Sequence, residues 1–412
     1  MKRLVWVLLV SGMFGGSCLN GYGYGEVVYE DIAYMYNSAG EYWRVWSDNN
    51  ISRTSLKFRK EIEYNKALKP VREIIQKVFN NRYNLQTVEF PDTLFSIGAF
   101  AFGGCSSLKA INLPSYPVKL GNYCFYGCVR VGTVTLPDSV SFGSNVFNSC
   151  SGLKTVEFQG TVKEVGDYVF SKCSNLTNVV IPTTFKADIG KGWFNSCTGL
   201  KTISIPYTVS VIQKEAFQNC TNLKNVNMAD KVNLIYDYAF AGCESIESLM
   251  LPKELIVIRS HVFDNCTGLK TITLKEKIAR IENSAFKDCS SLSKITIPAK
   301  VNIIEASAFE GCKALDSVTV LNEEPFAFGA DAFKGISPTC VLMVPYGKRS
   351  AYIAAGWTEE VFKGGVKEII PAGISQVKVK TKETGWYDLQ GRKIAQPEKG
   401  HIYISGGKKV MK

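Results

Sequence analysis

A unit of about 23 residues recurs along most of the chain, and this period constrains the fold more than any other feature. It is marked by a phenylalanine that returns at intervals of 22 to 24 residues. A period in this range is typical of solenoids, in which each repeat buries its apolar face only by stacking on its neighbours. We therefore expect about 12 stacked rungs over residues 70–346. The marker residues are Phe79, Phe102, Phe125, Phe147, Phe170, Phe194, Phe217, Phe240, Phe263, Phe286, Phe309 and Phe333.

Apolar residues keep fixed places around each marker. One lies five residues before it, a leucine lies six after it, and two more lie nine and eleven after it. The alternation at the end of the unit predicts a half-buried strand, which a proline often stops. Twelve such strands at about 4.8 Å spacing would extend about 60 Å. The sequence therefore predicts a mainly-β repeat solenoid with one long parallel sheet, and short turns or 3-10 and helical pieces opposite it.

The clearest repeats, such as VIQKEAFQNCTNLKNVNM (residues 211–228) and RIENSAFKDCSSLSKITIP (residues 280–298), resemble the leucine-rich repeats of the BspA-like class. The consensus of that class is close to I-G-x-x-A-F-x-x-C-x-x-L-K-x-I-x-I-P. The resemblance implies an exported protein, held at the cell surface or secreted, of the adhesin-like, partner-binding kind. It implies the architecture but names no ligand.

Residues 1–25 have the pattern of an export signal, with basic Lys2 and Arg3 followed by an apolar run and small residues. The run Gly15-Gly16-Ser17-Cys18 partly resembles a bacterial lipobox, which makes Cys18 a candidate lipidation site. Ordinary cleavage within residues 21–25 is the alternative. No other segment is long and apolar enough to span a bilayer.

Residues 26–69 lack the repeat and contain an aromatic-rich stretch. Two strands around residues 37–40 predict a β-hairpin that caps the first rung, as solenoids require. The alternative is an aromatic sugar-binding platform built from Tyr42, Trp43 and Trp46.

Two short segments follow the last repeat. Residues 347–370 contain a helical stretch and are expected to form a C-terminal cap. Residues 371–412, with YDLQGRK (residues 387–393) and IYISGGKKV (residues 402–410), are similar to the C-terminal sorting or anchoring element of Bacteroidetes surface proteins. A lipid on Cys18 and this tail are competing means of holding the protein at the surface.

Ten of the thirteen cysteines occupy one position of the repeat. We expect small buried thiols there, since free cysteine packs as a small hydrophobe; disulfides between adjacent rungs are the alternative. No C-x-x-C pair exists and the chain has only two histidines, so neither a metal site nor a cofactor is predicted. The repeat cysteines are Cys105, Cys128, Cys150, Cys173, Cys197, Cys220, Cys243, Cys266, Cys289 and Cys312.

The charge distribution argues against a nucleic-acid partner. The net charge is +11, but residues 371–412 carry nine Lys and Arg against three Asp and Glu. The repeat array itself is close to neutral and lacks a basic stripe.

Catalysis is not expected. His261 occupies a variable turn position and is predicted to be exposed and unpaired, His401 lies in the tail, and no repeated pair of carboxylates or phosphate loop appears. The predicted function is binding of a protein, either a host extracellular or a bacterial surface macromolecule. A structural or self-assembling envelope protein and a glycan-binding module are the alternatives.

Two rows of residues are candidate contact surfaces. The first is the outward side of the predicted strands, a broad face of threonine, serine and asparagine, which as an ordinary strand surface would simply be solvated. The second is the residue before the recurring isoleucine, which makes an apolar line interrupted by Arg280; partial burial in the turn is the alternative. The candidate residues are Thr202, Ser204, Asn225, Asn227, Thr271 and Thr273 on the first row, and Val211, Leu234, Val257 and Ile303 on the second.

Overall fold

The computed structural model describes residues 25–115, 117–370, 386–397, 402–405 and 408–411. The chain forms two compact units, of which the first ends at Lys367 and the second runs from Glu368 to Lys412. The predicted export signal and Cys18 lie outside the described residues.

The repeats form a mainly-β solenoid of about 13 turns with almost no helix, which confirms the predicted fold class. Each repeat makes one turn, and the marker phenylalanines stack on one another along the core. Consecutive ring centroids lie 5.0 to 5.9 Å apart, and the ring planes are within 14° of parallel. Neighbouring turns therefore share one continuous apolar core, as a solenoid must.

Strands that follow a marker phenylalanine, together with β4 before the first marker, form the front sheet. Their apolar residues face the core in strict alternation, and the pairing is parallel and in register, as between Thr202 and Asn225. The front strands are β4 (Ser55–Lys57), β7 (Thr87–Glu89), β10 (Thr133–Leu136), β12 (Thr155–Phe158), β14 (Asn178–Val180), β15 (Thr202–Ile205), β17 (Asn225–Met228), β19 (Ser248–Met250), β21 (Thr271–Thr273), β23 (Lys294–Ile297), β25 (Ser317–Val320), β26 (Val341–Val344) and β27 (Val366–Glu368).

Strands that precede the marker form a second, narrower back sheet, which is an addition to the single sheet that the sequence predicts. These strands span only two or three residues, which is too short for their alternation to be seen in the sequence. The back strands are β8 (Ser96–Ile97), β9 (Lys119–Leu120), β11 (Val140–Phe142), β13 (Val162–Glu164), β16 (Val211–Ile212), β18 (Leu234–Ile235), β20 (Val257–Ile258), β22 (Arg280–Ile281) and β24 (Ile303–Ile304).

The turn around each marker phenylalanine contains two residues with left-handed backbone, two positions before and two after the ring. Such φ values strain any residue with a side chain, yet only Gly192 is a glycine in the first of these rows. The N–H groups of both rows donate to carbonyls of the next turn, so the strain is offset by a hydrogen-bond ladder. The first row is Lys77, Phe100, Tyr123, Asn145, Tyr168, Gly192, Glu215, Tyr238, His261, Ser284, Ser307 and Asp331.

Both sheets are interrupted at two planes across the solenoid. At the first gap plane, between the Phe170 and Phe194 turns, β14 does not pair with β15 and β13 is the last strand of its sheet. The second gap plane crosses the Phe240 turn: β17 on the Phe217 turn does not pair with β19 on the Phe240 turn, and β18 on the Phe240 turn does not pair with β20 on the Phe263 turn. The phenylalanine stack is widest at this second plane, at 5.9 Å. The front sheet alone is also interrupted between β21 and β23.

The N-terminal region covers the first turn with antiparallel strands. β2 and β3 pair around a turn at residues 38–41, and β3 pairs in parallel with β6, which leads into the back sheet. The Trp43 indole is buried and donates to the Ile62 carbonyl at 3.1 Å. The strands are β1 (Glu26–Tyr29), β2 (Ile32–Asn37), β3 (Tyr42–Asp48), β5 (Glu61–Tyr64) and β6 (Ala67–Ile74).

The other end of the core is closed by Trp357, which is buried and lies 5.6 Å from the last ring of the stack, Phe333. Its indole donates to the Phe326 carbonyl at 2.5 Å. Helix α1 (Arg349–Ala354) contributes the buried Tyr352, whose hydroxyl donates to the Asn322 carbonyl at 2.6 Å.

In the second unit, four short strands form an antiparallel sheet in the order β29, β28, β30, β31. They are β28 (Trp386–Tyr387), β29 (Lys393–Ile394), β30 (Ile402–Ser405) and β31 (Lys408–Met411). Among the described residues of both units, no helix has the length and hydropathy of a membrane span.

Candidate binding face

The outward residues of the front strands form a polar face. All six front-row candidates are exposed. Side chains alternate along a strand, so where residues such as Ile203 face the core, the residues beside them face solvent. Within the described residues, one side-chain hydrogen bond joins two of the six, a long one of 3.5 Å from Asn227 Nδ2 to Ser204 Oγ. Most of the hydrogen-bonding capacity of this face is therefore directed at solvent, where a partner can use it. The six residues are Thr202, Ser204, Asn225, Asn227, Thr271 and Thr273.

Two apolar side chains interrupt this polar face. Val180 is 44% exposed and Met250 is 67% exposed, at positions that threonine, serine or asparagine fill in most other turns. Both apolar residues are recognisable in the aligned repeats. The six candidates were chosen for their polar side chains and therefore did not include them. Met250 borders a crevice where the front ladder is interrupted between β17 and β19.

The second candidate row is mostly half-buried. Val211, Leu234 and Val257 are half-buried in the back strands, and only Ile303, at 39%, is exposed. Partial burial, the alternative reading of this row, therefore describes three of its four apolar members. Arg280 in the same row is ion-paired with Glu305.

The repeat cysteines form a ladder of weak hydrogen bonds. Each Sγ donates to the carbonyl of the marker phenylalanine one turn earlier, at 3.1 to 3.4 Å. All twelve described cysteines are buried and free of disulfides. Burial raises the pKa of these thiols, to about 12 for Cys220. Such thiols are poor nucleophiles and metal ligands, because both roles require the thiolate.

His261 is neither fully exposed nor unpaired, so that prediction was wrong. Its Nδ1 lies 2.8 Å from Asp264 Oδ2, and its ring stacks on Tyr238 with centroids 4.4 Å apart. Tyr238 and His261 each lie two residues before a marker phenylalanine. Equivalent positions on adjacent turns are neighbours, so the two rings come into contact. One histidine with one carboxylate lacks the further groups that a catalytic or metal site needs. No cluster of three metal-ligating side chains occurs within the described ranges.

The alternative prediction of an N-terminal aromatic platform built from Tyr42, Trp43 and Trp46 is also wrong. Trp43 faces the core and is 1% exposed, whereas Trp46, three residues along the same strand, is 44% exposed. The Tyr42 hydroxyl donates to Glu73 at 3.2 Å. Because a strand turns successive side chains to opposite faces, the three rings cannot share a surface.

Comparisons with known proteins agree with this architecture. The family model for the "BspA type Leucine rich repeat region" matches in six copies over residues 72–197 and 187–316. Among curated proteins, none matches this chain.

Solved structures similar to this chain come from several bacteria. A leucine-rich repeat protein from Bacteroides ovatus is 21% identical, with a TM-score of 0.54, and covers 84% of this chain and 100% of its own. A leucine rich cell surface protein from Faecalibacterium prausnitzii is 22% identical, with a TM-score of 0.48, and covers 84% and 96%. The pneumococcal vaccine antigen PcpA is 14% identical, with a TM-score of 0.40, and covers 84% and 98%.

A leucine-rich repeat solenoid is typically a binding scaffold and not an enzyme. The matching family model, the period of 23 residues and the stacked phenylalanine and cysteine ladders lead to one conclusion. The chain belongs to the BspA-type leucine-rich repeat family.

Proposed function

We propose that this chain is an exported binding protein, held at the cell surface or secreted, that presents its front face to a protein partner in an adhesin-like role. One observation carries the proposal: a broad face of exposed threonine, serine and asparagine side chains with few hydrogen bonds among themselves. Membership of a repeat family built for binding supports it.

The partner is a host extracellular or a bacterial surface macromolecule. Each short polar side chain contributes one or two hydrogen bonds, so useful affinity requires many of them over a standard interface of about 800 Å² per partner. A rigid solenoid supplies such an area without ordering loops on binding, which lowers the entropic cost.

A capture experiment tests this proposal. The purified chain is incubated with extracellular-matrix extract and, separately, with outer-membrane extract of the producing cell. We expect a saturable protein partner whose binding is lost in the double variant Thr271→Arg/Thr273→Arg. The matched control is Glu164→Arg, which makes the same change in net charge at an exposed position of back strand β13. Equal binding by both variants would remove the front face from the proposal.

A second candidate function is self-assembly into an envelope structure. Ile256 and Ile303, which are 55% and 39% exposed in and beside the back sheet, favour it. Mass measured at increasing protein concentration separates the two, because only self-assembly predicts growth beyond small oligomers.

The means of anchoring is part of the same proposal. Lipid on Cys18 and sorting through residues 371–412 predict different intact masses for the protein recovered from its cell. A lipid adduct would favour the first, and loss of the C-terminal residues would favour the second.

A further inference from the structure

A crevice opens in the front face at the second gap plane. It has a volume of about 530 Å³ and runs across the ends of β15, β17 and β19 and the segment after β14, with Val226, Met228, Met250 and Leu251 among its lining residues. Its size falls within the range of about 300–1,000 Å³ that is usual for binding pockets. The crevice is therefore large enough to take a bulky side chain together with part of its backbone.

One side of the crevice lies at the interruption of the front ladder between β17 and β19. Val226 and Met228 occupy the same inward positions as Ile203 and Ile205, which are 2% and 3% exposed, yet both are only half-buried. Core side chains thus reach the surface here. The missing front ladder leaves the facing edges of β17 and β19 without hydrogen bonds to each other.

The first gap plane shows how such an opening is filled from within. There Trp193 is fully buried, and its indole donates to the Gly166 carbonyl at 2.7 Å. Its ring lies against Phe158 and Phe170, with centroids 5.9 and 6.2 Å away. At the second gap plane, the corresponding residues are Ala239 before Phe240 and Val262 before Phe263, whose side chains are too small to fill such a space. The front opening there remains lined by half-buried core atoms.

Met250 makes the rim of the crevice apolar. Its side chain is 67% exposed on a face that is otherwise polar. Methionine is unbranched and polarizable, so it adapts its shape to an incoming apolar group. An exposed apolar site within a polar surround is the usual composition of a protein contact.

Unpaired lysines lie on both flanks of the crevice. Lys201 and Lys224 stand at the start of the front strands, and Lys231 and Lys275 follow their ends; none of the four forms an ion pair in the described structure. The one lining carboxylate, Asp230, is already bound by Lys253. Asp230 Oδ2 lies 3.4 Å from Lys253 Nζ, and the Lys253 backbone N–H donates to Asp230 Oδ1 at 3.2 Å.

Acidic residues do not cancel this excess of positive charge. The hydrogen bond and charge of Lys270, 2.8 Å away, lower the pKa of Glu247, and Lys224 adds a smaller effect in the same direction. A segment that carries carboxylates on each side of an apolar residue would complement both the crevice and its flanks.

We propose that this crevice is the anchor site for an extended acidic segment of a protein partner, with an apolar side chain inserted between Met228 and Met250 and carboxylates against the flanking lysines. The inference rests on the proposed binding function and names the chemistry of the partner. The strongest contact is then expected at the second gap plane. Binding energy would be concentrated there and not spread along the polar face, because a few residues usually dominate the energy of an interface.

A random 12-residue peptide library displayed on phage, selected on the full purified chain, tests this assignment. Selected sequences are resynthesised, and their affinities are measured by fluorescence anisotropy. We expect an apolar residue flanked by Asp or Glu, and an affinity that falls as salt is added. Met250→Asp is expected to weaken binding about ten-fold through loss of the anchor contact and repulsion. Lys201→Glu/Lys224→Glu should weaken it several-fold.

The controls separate folding from binding. Thr296→Asp places the same charge at an equivalent outward position two front strands beyond Met250, and it should leave affinity unchanged. Asn227→Glu places a negative charge in the crevice from the neighbouring strand, should weaken binding of the acidic peptides, and serves if Met250→Asp does not fold. Selection of no peptide, of neutral or basic peptides, or of peptides that bind the crevice variants normally would overturn the assignment.

The outcomes also separate this inference from the proposed function. If a captured protein partner is lost with Thr271→Arg/Thr273→Arg but retained by Met250→Asp, the front face binds and the crevice assignment is wrong. If crevice-dependent acidic peptides are selected while neither extract yields a partner, the crevice stands and the proposed function fails.

Discussion

Raising the pH from 8.5 to 9.5 is expected to remove much of the stability of the folded array, because its buried thiols cannot ionise in place. Desolvation raises the pKa of the repeat thiols from an ordinary value of 9.0 to about 12 for Cys150, Cys220 and Cys266. In the unfolded chain they ionise near 9. Above that pH the unfolded state binds fewer protons than the folded state, so the stability that is present at neutral pH declines as the pH rises.

The size of the effect follows from proton linkage. Between pH 8.5 and 9.5, one thiol that ionises only in the unfolded state costs about 0.7 kcal/mol. Ten such thiols, all buried in the same ladder, cost about 7 kcal/mol, which is comparable with the total stability of a typical domain, about 5–15 kcal/mol. Tyrosine and lysine side chains ordinarily ionise above pH 10 and add little in this interval.

Urea unfolding in the presence of a phosphine reductant, followed by circular dichroism at pH 7.5, 8.5 and 9.5, measures this loss. Cys220→Ala, which removes one titrating group, should be less stable at pH 7.5 but should lose about 0.7 kcal/mol less between pH 8.5 and 9.5. A free energy of unfolding that differs by less than about 1 kcal/mol between pH 8.5 and 9.5 would refute the reasoning.

Three further substitutions test the packing. Phe217→Ala removes a buried ring that stacks on both neighbours, at 5.4 and 5.2 Å, and should cost about 3–5 kcal/mol in urea unfolding, with Phe217→Leu costing clearly less. Asp48→Ala removes a buried carboxylate that faces Arg53 at 3.5 Å and Arg82 at 3.9 Å, and should cost about 3–5 kcal/mol, whereas Asp31→Ala, on an exposed partner of Arg53, should cost less than about 1 kcal/mol. Gly192→Ala would place a methyl group 2.1 Å from the Tyr168 ring at a φ of +59°, displacing the Tyr168 hydroxyl from Glu215. It should lower the thermal midpoint, and Tyr168→Ala should restore part of the loss; equal losses with and without the ring would contradict this packing.

The repeat pattern predicts the core of this molecule well, because each core position has one chemical requirement that recurs every turn. The marker phenylalanines and the cysteines three residues later occupy the buried ladders that their period indicates. Contacts between neighbouring turns were harder to predict. His261 meets Tyr238 only because both residues have left-handed backbone two positions before their markers, and nothing in the composition of those positions indicates that geometry.

The candidate site was predicted in part. The outward threonine, serine and asparagine residues are exposed as the alternation requires, whereas the apolar back row is mostly half-buried because a second sheet forms there. The two gap planes could not be predicted, since a missing ladder depends on small shifts between turns and not on one residue type. Only Trp193, an unusually large residue beside its marker, hints at the first gap plane.

The two gap planes also give the array an uneven response to stretching. A protein tethered at one end and bound to a partner through its face transmits tension along the stacked turns. Where both sheets are interrupted, that tension is carried by the turn hydrogen bonds, the cysteine hydrogen bonds and the packed core, without the strand ladders. The plane between Phe240 and Phe263, with the widest ring spacing and no indole bridging it, is then where the turns would separate first. Separation of the unpaired β17 and β19 at the front of the same plane would widen the crevice beside Met250, so a segment bound across both strands would resist that separation.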